Sequence, residues 1–111
     1  MFCGNSILQK GLPFFYLHKI FYTLYQILLD NLIHYGDKSN IPQIQTIKYI
    51  LNLLDSNPDM TQIKTMNESL YPPRGGLGEF YVWDDDYDKR IDLNEPIDKA
   101  KSITWEILMK D

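Results

Sequence analysis

The chain has 111 residues, which is enough for one domain with a modest core and too few for two independent domains. Its composition, 44% hydrophobic and 23% charged, is typical of a globular protein and argues against disorder. The net charge of -4 is uneven, because residues 1–55 carry +1 and residues 56–111 carry -5, and no basic stripe is present. This pattern excludes a typical nucleic-acid footprint and favours a cation or a basic partner for the acidic half.

Three sequence features bear on location. Cys3 is the only cysteine, so the chain can form neither an intrachain disulfide nor a thiolate metal cluster. The longest apolar stretch, residues 12–35, is interrupted by polar and charged side chains, whereas a membrane span needs roughly 20 mostly apolar residues. No small-residue cleavage site follows residues 14–17, which argues against a secretion signal. We therefore expect a soluble, cytoplasmic protein without a membrane segment.

The first half of the chain has the periodicity of amphipathic helices. Residues 1–11 show no clear period and are expected to form a loosely held N-terminal arm. A long helix is predicted from there to about Tyr35, with Pro13 in its first turn and Gly36 as its C-terminal cap. Its apolar residues recur at helical spacing: Leu17, Ile20, Phe21, Leu24, Ile27, Leu28 and Leu32.

A second and a third helix are predicted next. Ser39 or Asn40 is expected to cap the second helix, with Pro42 in its first turn. Residues 56–59 combine a capping side chain, a proline and an acid, which predicts the start of the third helix. Residues 71–73 end it, because a residue before proline is pushed out of helical geometry. The expected inward-facing residues are Ile44, Ile47, Ile50, Leu51 and Leu54, then Met60, Ile63, Met66 or Asn67, and Leu70.

A last helix is predicted from near Asn94 toward Lys110. Its apolar face is expected to contain Ile97, Ala100, Thr104, Ile107 and Leu108, flanked by Ile103 and Trp105. The expected fold is therefore mostly α, a single domain over residues 1–111 that forms a small four-helix bundle. Residues 74–93 are left as a long, structured and largely irregular connection, and connections of this length are commonly functional.

The acidic part of this connection resembles the calcium loop of the EF-hand family. With Asp84 as position one, oxygen-bearing side chains fall at the ligand positions of that loop: Asp84, Asp86, Asp88, Asp92 and Glu95, with the Arg90 carbonyl between them. The sequence departs from the pattern at position six, where Lys89 replaces the usual glycine, and no entering helix precedes it. The alternative is a solvated acidic loop whose carboxylates favour the N-terminus of the last helix.

The same connection is rich in aromatic residues, and two interpretations remain open for them. Phe80 and Trp83 are expected to hold the connection on the bundle. The alternative is an acidic-aromatic contact surface for a basic protein, in which aromatic anchors are surrounded by charges.

Catalytic chemistry has little support in the sequence. Residues 75–78, GGLG, lack the Lys-Ser/Thr ending of a phosphate loop and are expected to form a turn with positive backbone angles. His18 and His34 fall on nearly opposite faces of the first helix and cannot easily share a metal ion. No Ser-His-Asp or Cys-His arrangement is indicated, so we expect no enzyme activity.

A second resemblance involves Gly75, Gly76, Leu77, Gly78 and Phe80, together with Asn94, Asp98 and Trp105. This pattern resembles an uncharacterised family of small bacterial helical proteins, over about the last forty residues. The resemblance implies that the glycine turn and the closing helix form one unit. It also suggests an immunity-type role by analogy, and implies no catalytic residue.

The sequence therefore predicts a non-catalytic, protein-binding accessory or immunity-type protein with a basic partner. The expected contact residues are Tyr81, Trp83, Asp84, Asp85, Asp86, Tyr87 and Asp88. The alternative function is binding of a divalent cation, calcium, through residues 84–95. Neither nucleic acid nor a membrane is expected as a partner.

Overall fold

A computed structural model of the chain describes residues 14–56 and 59–109, with side chains from residue 17 onward. It contains four helices: α1 (Phe14–Tyr35), α2 (Ile41–Ser56), α3 (Met60–Ser69) and α4 (Tyr87–Met109). Short 3-10 turns lie at Lys38–Asn40 and Leu77–Glu79, and no strand is present in the described ranges. The predicted small four-helix bundle, with a structured connection before its last helix, is confirmed. The expectations for residues 1–11, Pro13 and residues 57–58 fall outside the described residues.

The core is built around α1, which packs against both α2 and α4. Five α1 residues at spacings of three or four are almost fully buried: Leu17, Phe21, Tyr25, Leu28 and Leu32. Burial of each apolar side chain of this size contributes about 1.5–3 kcal/mol, so this stripe fixes how the helices meet. The predicted apolar face is confirmed, although Leu24 and Ile27 lie at its half-buried edge. The buried Tyr25 hydroxyl donates a hydrogen bond of 2.7 Å to Asn67 Oδ1 on α3.

The turn between α1 and α2 is capped differently from the prediction. The side chain of Asp37 accepts the backbone N–H of Ser39 at 2.8 Å, and the Asn40 side chain accepts the N–H of Asp37 at 3.0 Å. Asp37 therefore caps the 3-10 turn that leads into α2, a residue that the prediction did not name, and the Asn40 side chain completes this capping box. The predicted capping of α2 itself by Ser39 or Asn40 stays a prediction. The hydrogen bonds from Ser39 also lower the pKa of Asp37, because they stabilise its carboxylate. Gly36, the predicted C-terminal cap of α1, does not have a positive φ. Glycine is needed there because the Leu32 carbonyl and the Asn40 side chain lie where a Cβ atom would be.

Helix α3 begins at an aspartate cap. Asp59 accepts the backbone N–H groups of Thr61 and Gln62 at 3.0 and 3.2 Å, satisfying two donors that a helix start leaves unpaired. On the inner face, Ile63, Asn67 and Leu70 are buried, while Met60 and Met66 are half-buried at its edges. The predicted inward face of this helix is confirmed, with Asn67 in place of Met66 at its centre.

Helix α4 begins at Tyr87, which corrects the predicted start near Asn94. Asp86 accepts the N–H of Lys89 on its side chain at 3.2 Å and the N–H of Arg90 on its carbonyl at 2.9 Å. Pro96 therefore lies inside the helix and not near its start. Because proline has no N–H, the intrahelical hydrogen bond to the Asp92 carbonyl is missing there. The helix continues through it because buried residues lie on both sides: Asn94, Ile97, Ala100, Thr104 and Leu108. The connection accordingly covers residues 70–86 and not 74–93.

Candidate protein-binding surface

The end of the connection alternates between the core and solvent. Phe80 and Val82 are 8% and 3% exposed, whereas Tyr81 and Trp83 are 53% and 68% exposed. This period of two is that of extended chain, in which successive side chains point to opposite sides. The expectation that Phe80 holds the connection on the bundle is confirmed, but the same expectation for Trp83 is wrong. Leu77, fully buried in the 3-10 turn, has that role together with Val82.

Asn94 holds this extended segment against α4. Its Oδ1 accepts the backbone N–H of Val82 and its Nδ2 donates to the Val82 carbonyl, both at 2.8 Å. The same Nδ2 also donates to the Arg90 carbonyl at 2.8 Å. The side-chain amide thus pairs with both backbone polar groups of Val82, as a residue of a neighbouring strand does. Asn94 is buried, so these bonds are shielded from water. The position of the connection on α4 is fixed by this contact.

Further contacts join the connection to the bundle. Lys101 Nζ donates to the Phe80 carbonyl at 2.8 Å, and partial burial lowers the pKa of this lysine, an effect opposed by Asp98. Tyr71 packs edge-on against Trp105 of α4, with ring centroids 5.1 Å apart. These contacts join the residues on either side of the glycine turn to α4.

The glycine turn has the expected backbone. Gly75 and Gly76 have φ of 71° and 73°, which is the left-handed region that glycine adopts without steric cost. At Gly76 a Cβ atom would also meet Pro72 and the Leu70 carbonyl. The turn brings Leu77 back to α3, where its N–H donates to the Leu70 carbonyl at 2.7 Å. The prediction of a turn with positive backbone angles is confirmed.

On the outer side, three aromatic rings of the predicted contact set face solvent. Tyr87, in the first turn of α4, is 64% exposed, so it lies open like Tyr81 and Trp83. The Arg90 guanidinium carbon lies 4.1 Å from the Trp83 ring centroid and 5.3 Å from that of Tyr87. Both distances are within the range of a cation–π interaction. We refer to Tyr81, Trp83, Asp84, Asp85, Asp86, Tyr87 and Asp88 as the acidic-aromatic surface.

Three of the acids in this surface have partners within the chain. Asp84 accepts the N–H of Asp86 at 2.9 Å and forms an ion pair with Lys89 at 3.5 Å. Asp85 accepts the indole N–H of Trp83 at 3.1 Å, and Asp86 caps α4 as described above. The expectation that the acids favour the N-terminus of the last helix is therefore confirmed for Asp86. These contacts fix the shape of the surface around Trp83.

The expected calcium ligands are distributed differently from those of a loop. Asp88, Asp92 and Glu95 lie on α4, where the first and last of them are separated by about 10 Å along the helix axis. In the part of the chain that the structure describes, no group of three or more His, Cys, Asp or Glu side chains is arranged to hold a metal ion. The ligand set that also includes Asp84 and Asp86 is therefore not brought together, and calcium binding remains an untested prediction.

A separate apolar cavity of about 290 Å³ lies between α1, α3 and the end of α4, away from the acidic-aromatic surface. Its lining residues are Leu17, Phe21, Met60, Thr61, Lys64, Ile107 and Leu108. Among the described residues of this lining, Lys64 is the one charged side chain.

Two residues that shape the surface were absent from the predicted contact set. Asn94 was interpreted as a helix start, and its bonds to a residue twelve positions earlier have no local signature. Arg90 was considered for its carbonyl alone. Residues three apart on a helix lie side by side, so Tyr87 and Arg90 would be expected to touch if both were helical. The predicted start of α4 near Asn94 leaves both residues outside the helix, so their contact is not predicted.

Comparison with known proteins gives no information about this surface. No protein-family model, curated protein or solved structure matches this chain. The resemblances to a bacterial family and to the EF-hand loop therefore remain predictions. Among the described helices, none has the length and apolar character needed to cross a membrane. The chain is thus a small helical protein whose acidic-aromatic surface includes an extended segment held against α4 by hydrogen bonds.

Proposed function

We propose that this chain is a non-catalytic, protein-binding accessory or immunity-type protein that binds a basic partner through its acidic-aromatic surface. The observation that carries the proposal is the exposure of Tyr81, Trp83 and Tyr87, each more than half accessible to solvent. Large aromatic side chains contribute most of the binding energy at many protein interfaces, because they bury a large area at low entropic cost. The cytoplasm of a bacterium is the proposed setting.

The contacts that hold this surface on the bundle support the proposal. The rings project from backbone that Asn94 and Lys101 hold by hydrogen bonds and that Phe80 and Val82 anchor in the core. A surface that is ordered before binding loses less conformational entropy when a partner docks. The segment is therefore suited to present its rings in a fixed arrangement.

The charge around the rings supports a basic partner. Residues 84–95 contain six carboxylates and two cationic side chains, Lys89 and Arg90, a net charge of -4. Such a patch attracts a positively charged protein during encounter and repels acidic competitors. In the immunity-type role, the partner is a basic toxin, and binding of the acidic-aromatic surface would cover the toxin's active surface.

The proposal is tested by immobilising this protein and measuring how tightly it binds the basic protein that it captures. Replacing Tyr81, Trp83 and Tyr87 together by Ser should weaken binding of the captured basic protein at least about thirtyfold, since one hot-spot aromatic contributes 2 kcal/mol or more. The matched control replaces three exposed apolar residues elsewhere, Ile33, Ile41 and Tyr49, by Ser and should retain capture. Equal capture by both triple variants would show that the acidic-aromatic surface is not the binding site.

A further inference from the structure

The position of Arg90 raises a question about the proposed surface. The Arg90 guanidinium already lies over the two most exposed rings of the acidic-aromatic surface, at 4.1 Å from the Trp83 centroid and 5.3 Å from the Tyr87 centroid. A cation near an aromatic face is attracted by the negative charge density of the ring. The place where a basic partner would insert a cationic side chain is therefore occupied by a side chain of the same chemistry.

We propose that Arg90 is a built-in competitor: it occupies the Trp83–Tyr87 ring pair in the unbound protein and is displaced by an arginine side chain of the partner. The proposal rests on the proposed function and identifies the chemical group that the surface recognises. The partner's group is a guanidinium, because a planar cation stacks on an aromatic face more effectively than a compact ammonium.

The backbone around Arg90 allows its side chain to leave without disturbing the fold. The Arg90 carbonyl accepts a hydrogen bond from Asn94, and its N–H donates to the Asp86 carbonyl at 2.9 Å. Both contacts involve main-chain atoms and are independent of the guanidinium. The contact with the rings is thus a side-chain interaction at the protein surface.

The surrounding charges favour an incoming cation once Arg90 has moved. Asp85 is held beside Trp83 by the indole N–H at 3.1 Å, so a carboxylate lies next to the ring edge. The other cation of the segment, Lys89, forms an ion pair with Asp84 at 3.5 Å. A partner's guanidinium would meet the same two rings as Arg90, with the Asp85 carboxylate at the edge of Trp83, and the displaced Arg90 would be solvated.

Removing the competitor provides a sharp test. The probe is a hexaarginine peptide, compared with a hexalysine peptide and an uncharged Gly-Ser peptide of equal length. Binding is followed by tryptophan fluorescence in a Trp105→Phe background, where Trp83 is the remaining tryptophan. Measurements in about 0.15 M salt screen charges farther than about 8 Å from the bound peptide.

The chain offers a matched control, because Arg74 is its only other arginine. Arg90→Ala and Arg90→Gln should each bind hexaarginine about three times more tightly than the parent, the gain expected when an exposed cation–π competitor is lost. Arg74→Ala removes the same charge away from the rings and should change Kd by less than half that factor. Arg90→Lys should give a smaller gain than Arg90→Gln, and hexalysine should respond less than hexaarginine.

The outcomes separate this inference from the proposed function. If Trp83→Ala weakens hexaarginine binding but the Arg90 variants bind no more tightly than Arg74→Ala, the competitor role is overturned while the binding surface stands. Weaker binding by Arg90→Gln would likewise overturn it, since Arg90 would then organise the rings. If the parent and every Arg90 variant fail to bind the cationic peptides, both proposals are overturned. Thermal melts of each variant confirm that the fold is intact.

Discussion

The two sides of the extended segment 80–83 carry similar residues and have different roles. The inner side, Phe80 and Val82, is buried and held by Asn94, whereas the outer side, Tyr81 and Trp83, is largely exposed to solvent. Burial accounts for the inner side, because each apolar side chain removed from water stabilises the fold. Stability does not account for the outer side, which keeps large rings in water. The comparison therefore supports the proposal that the outer aromatic residues bind a partner.

The strongest test of the inner side removes its hydrogen-bonded attachment. Asn94→Leu leaves the N–H and C=O of Val82 buried without partners, so we expect a loss of about 3 kcal/mol in the free energy of unfolding. Urea denaturation measures it. The same substitution at the exposed Asn52 of α2 is the control and should change stability by less than about 0.5 kcal/mol. Equal effects at the two positions would mean that the attachment contributes nothing.

The alternation itself is tested by adjacent residues. Val82→Ala should cost about 2 kcal/mol of unfolding free energy, because it removes buried methyl groups and leaves a cavity. Trp83→Ala should cost less than about 1 kcal/mol, although it removes a far larger side chain, since chiefly its contact with Arg90 is lost. Denaturation of the two variants under one set of conditions measures this difference. A Trp83 variant as unstable as the Val82 variant would contradict the assignment of the outer side to binding.

Tyr71, at the start of the connection, has a smaller effect of opposite sign. Its hydroxyl is buried beside Thr104, whose own hydroxyl donates to the Ala100 and Lys101 carbonyls, and it makes no well-formed hydrogen bond among the described residues. Tyr71→Phe should therefore raise the unfolding free energy by about 1 kcal/mol. Burial raises the pKa of Tyr71 to about 12, so the unfolded chain loses this proton at lower pH than the folded protein does. The titration of Tyr71 therefore leaves stability unchanged below about pH 10 and lowers it as the pH rises through about 12.

The alkaline part of that prediction is measured by denaturation between pH 9 and pH 12. Stability should fall less steeply with rising pH in Tyr71→Phe than in the parent. Tyr25 is present in both proteins, and a charged Tyr71 raises its pKa, so removing the Tyr71 hydroxyl also relieves this effect and changes the slope in the same direction. The control is Tyr81→Phe, at an exposed tyrosine, which should leave the pH dependence unchanged. Identical pH profiles for Tyr71→Phe and the parent would refute the prediction.

Calcium provides the smallest expected effect and sharpens the interpretation of the acids. Because Asp88, Asp92 and Glu95 are spread along α4, millimolar calcium should leave the melting midpoint unchanged. A ligand that binds the folded state must raise the midpoint. A rise at saturating calcium in chelator-treated protein, absent from a variant with Asp84 and Asp88 replaced by Asn, would restore the cation-binding alternative.

The sequence by itself determined the helices and most of the core. The apolar period of α1 and the buried faces of α2, α3 and α4 are local patterns, because residues three and four apart on a helix share one side. Positive backbone angles at Gly75 and Gly76 were also predictable, since glycine adopts them without a steric cost. Phe80 was correctly expected to contact the bundle.

The tertiary structure decided the arrangement of the surface. Whether Phe80 or Trp83 faces the bundle depends on the register of the segment on α4, and that register is set by bonds between Asn94 and Val82, twelve residues apart. Because α4 begins at Tyr87 and not near Asn94, Arg90 lies on its first turns, over the Trp83 and Tyr87 rings. Contacts between distant residues leave no period in the sequence, so the folded chain alone shows which aromatic residues remain exposed.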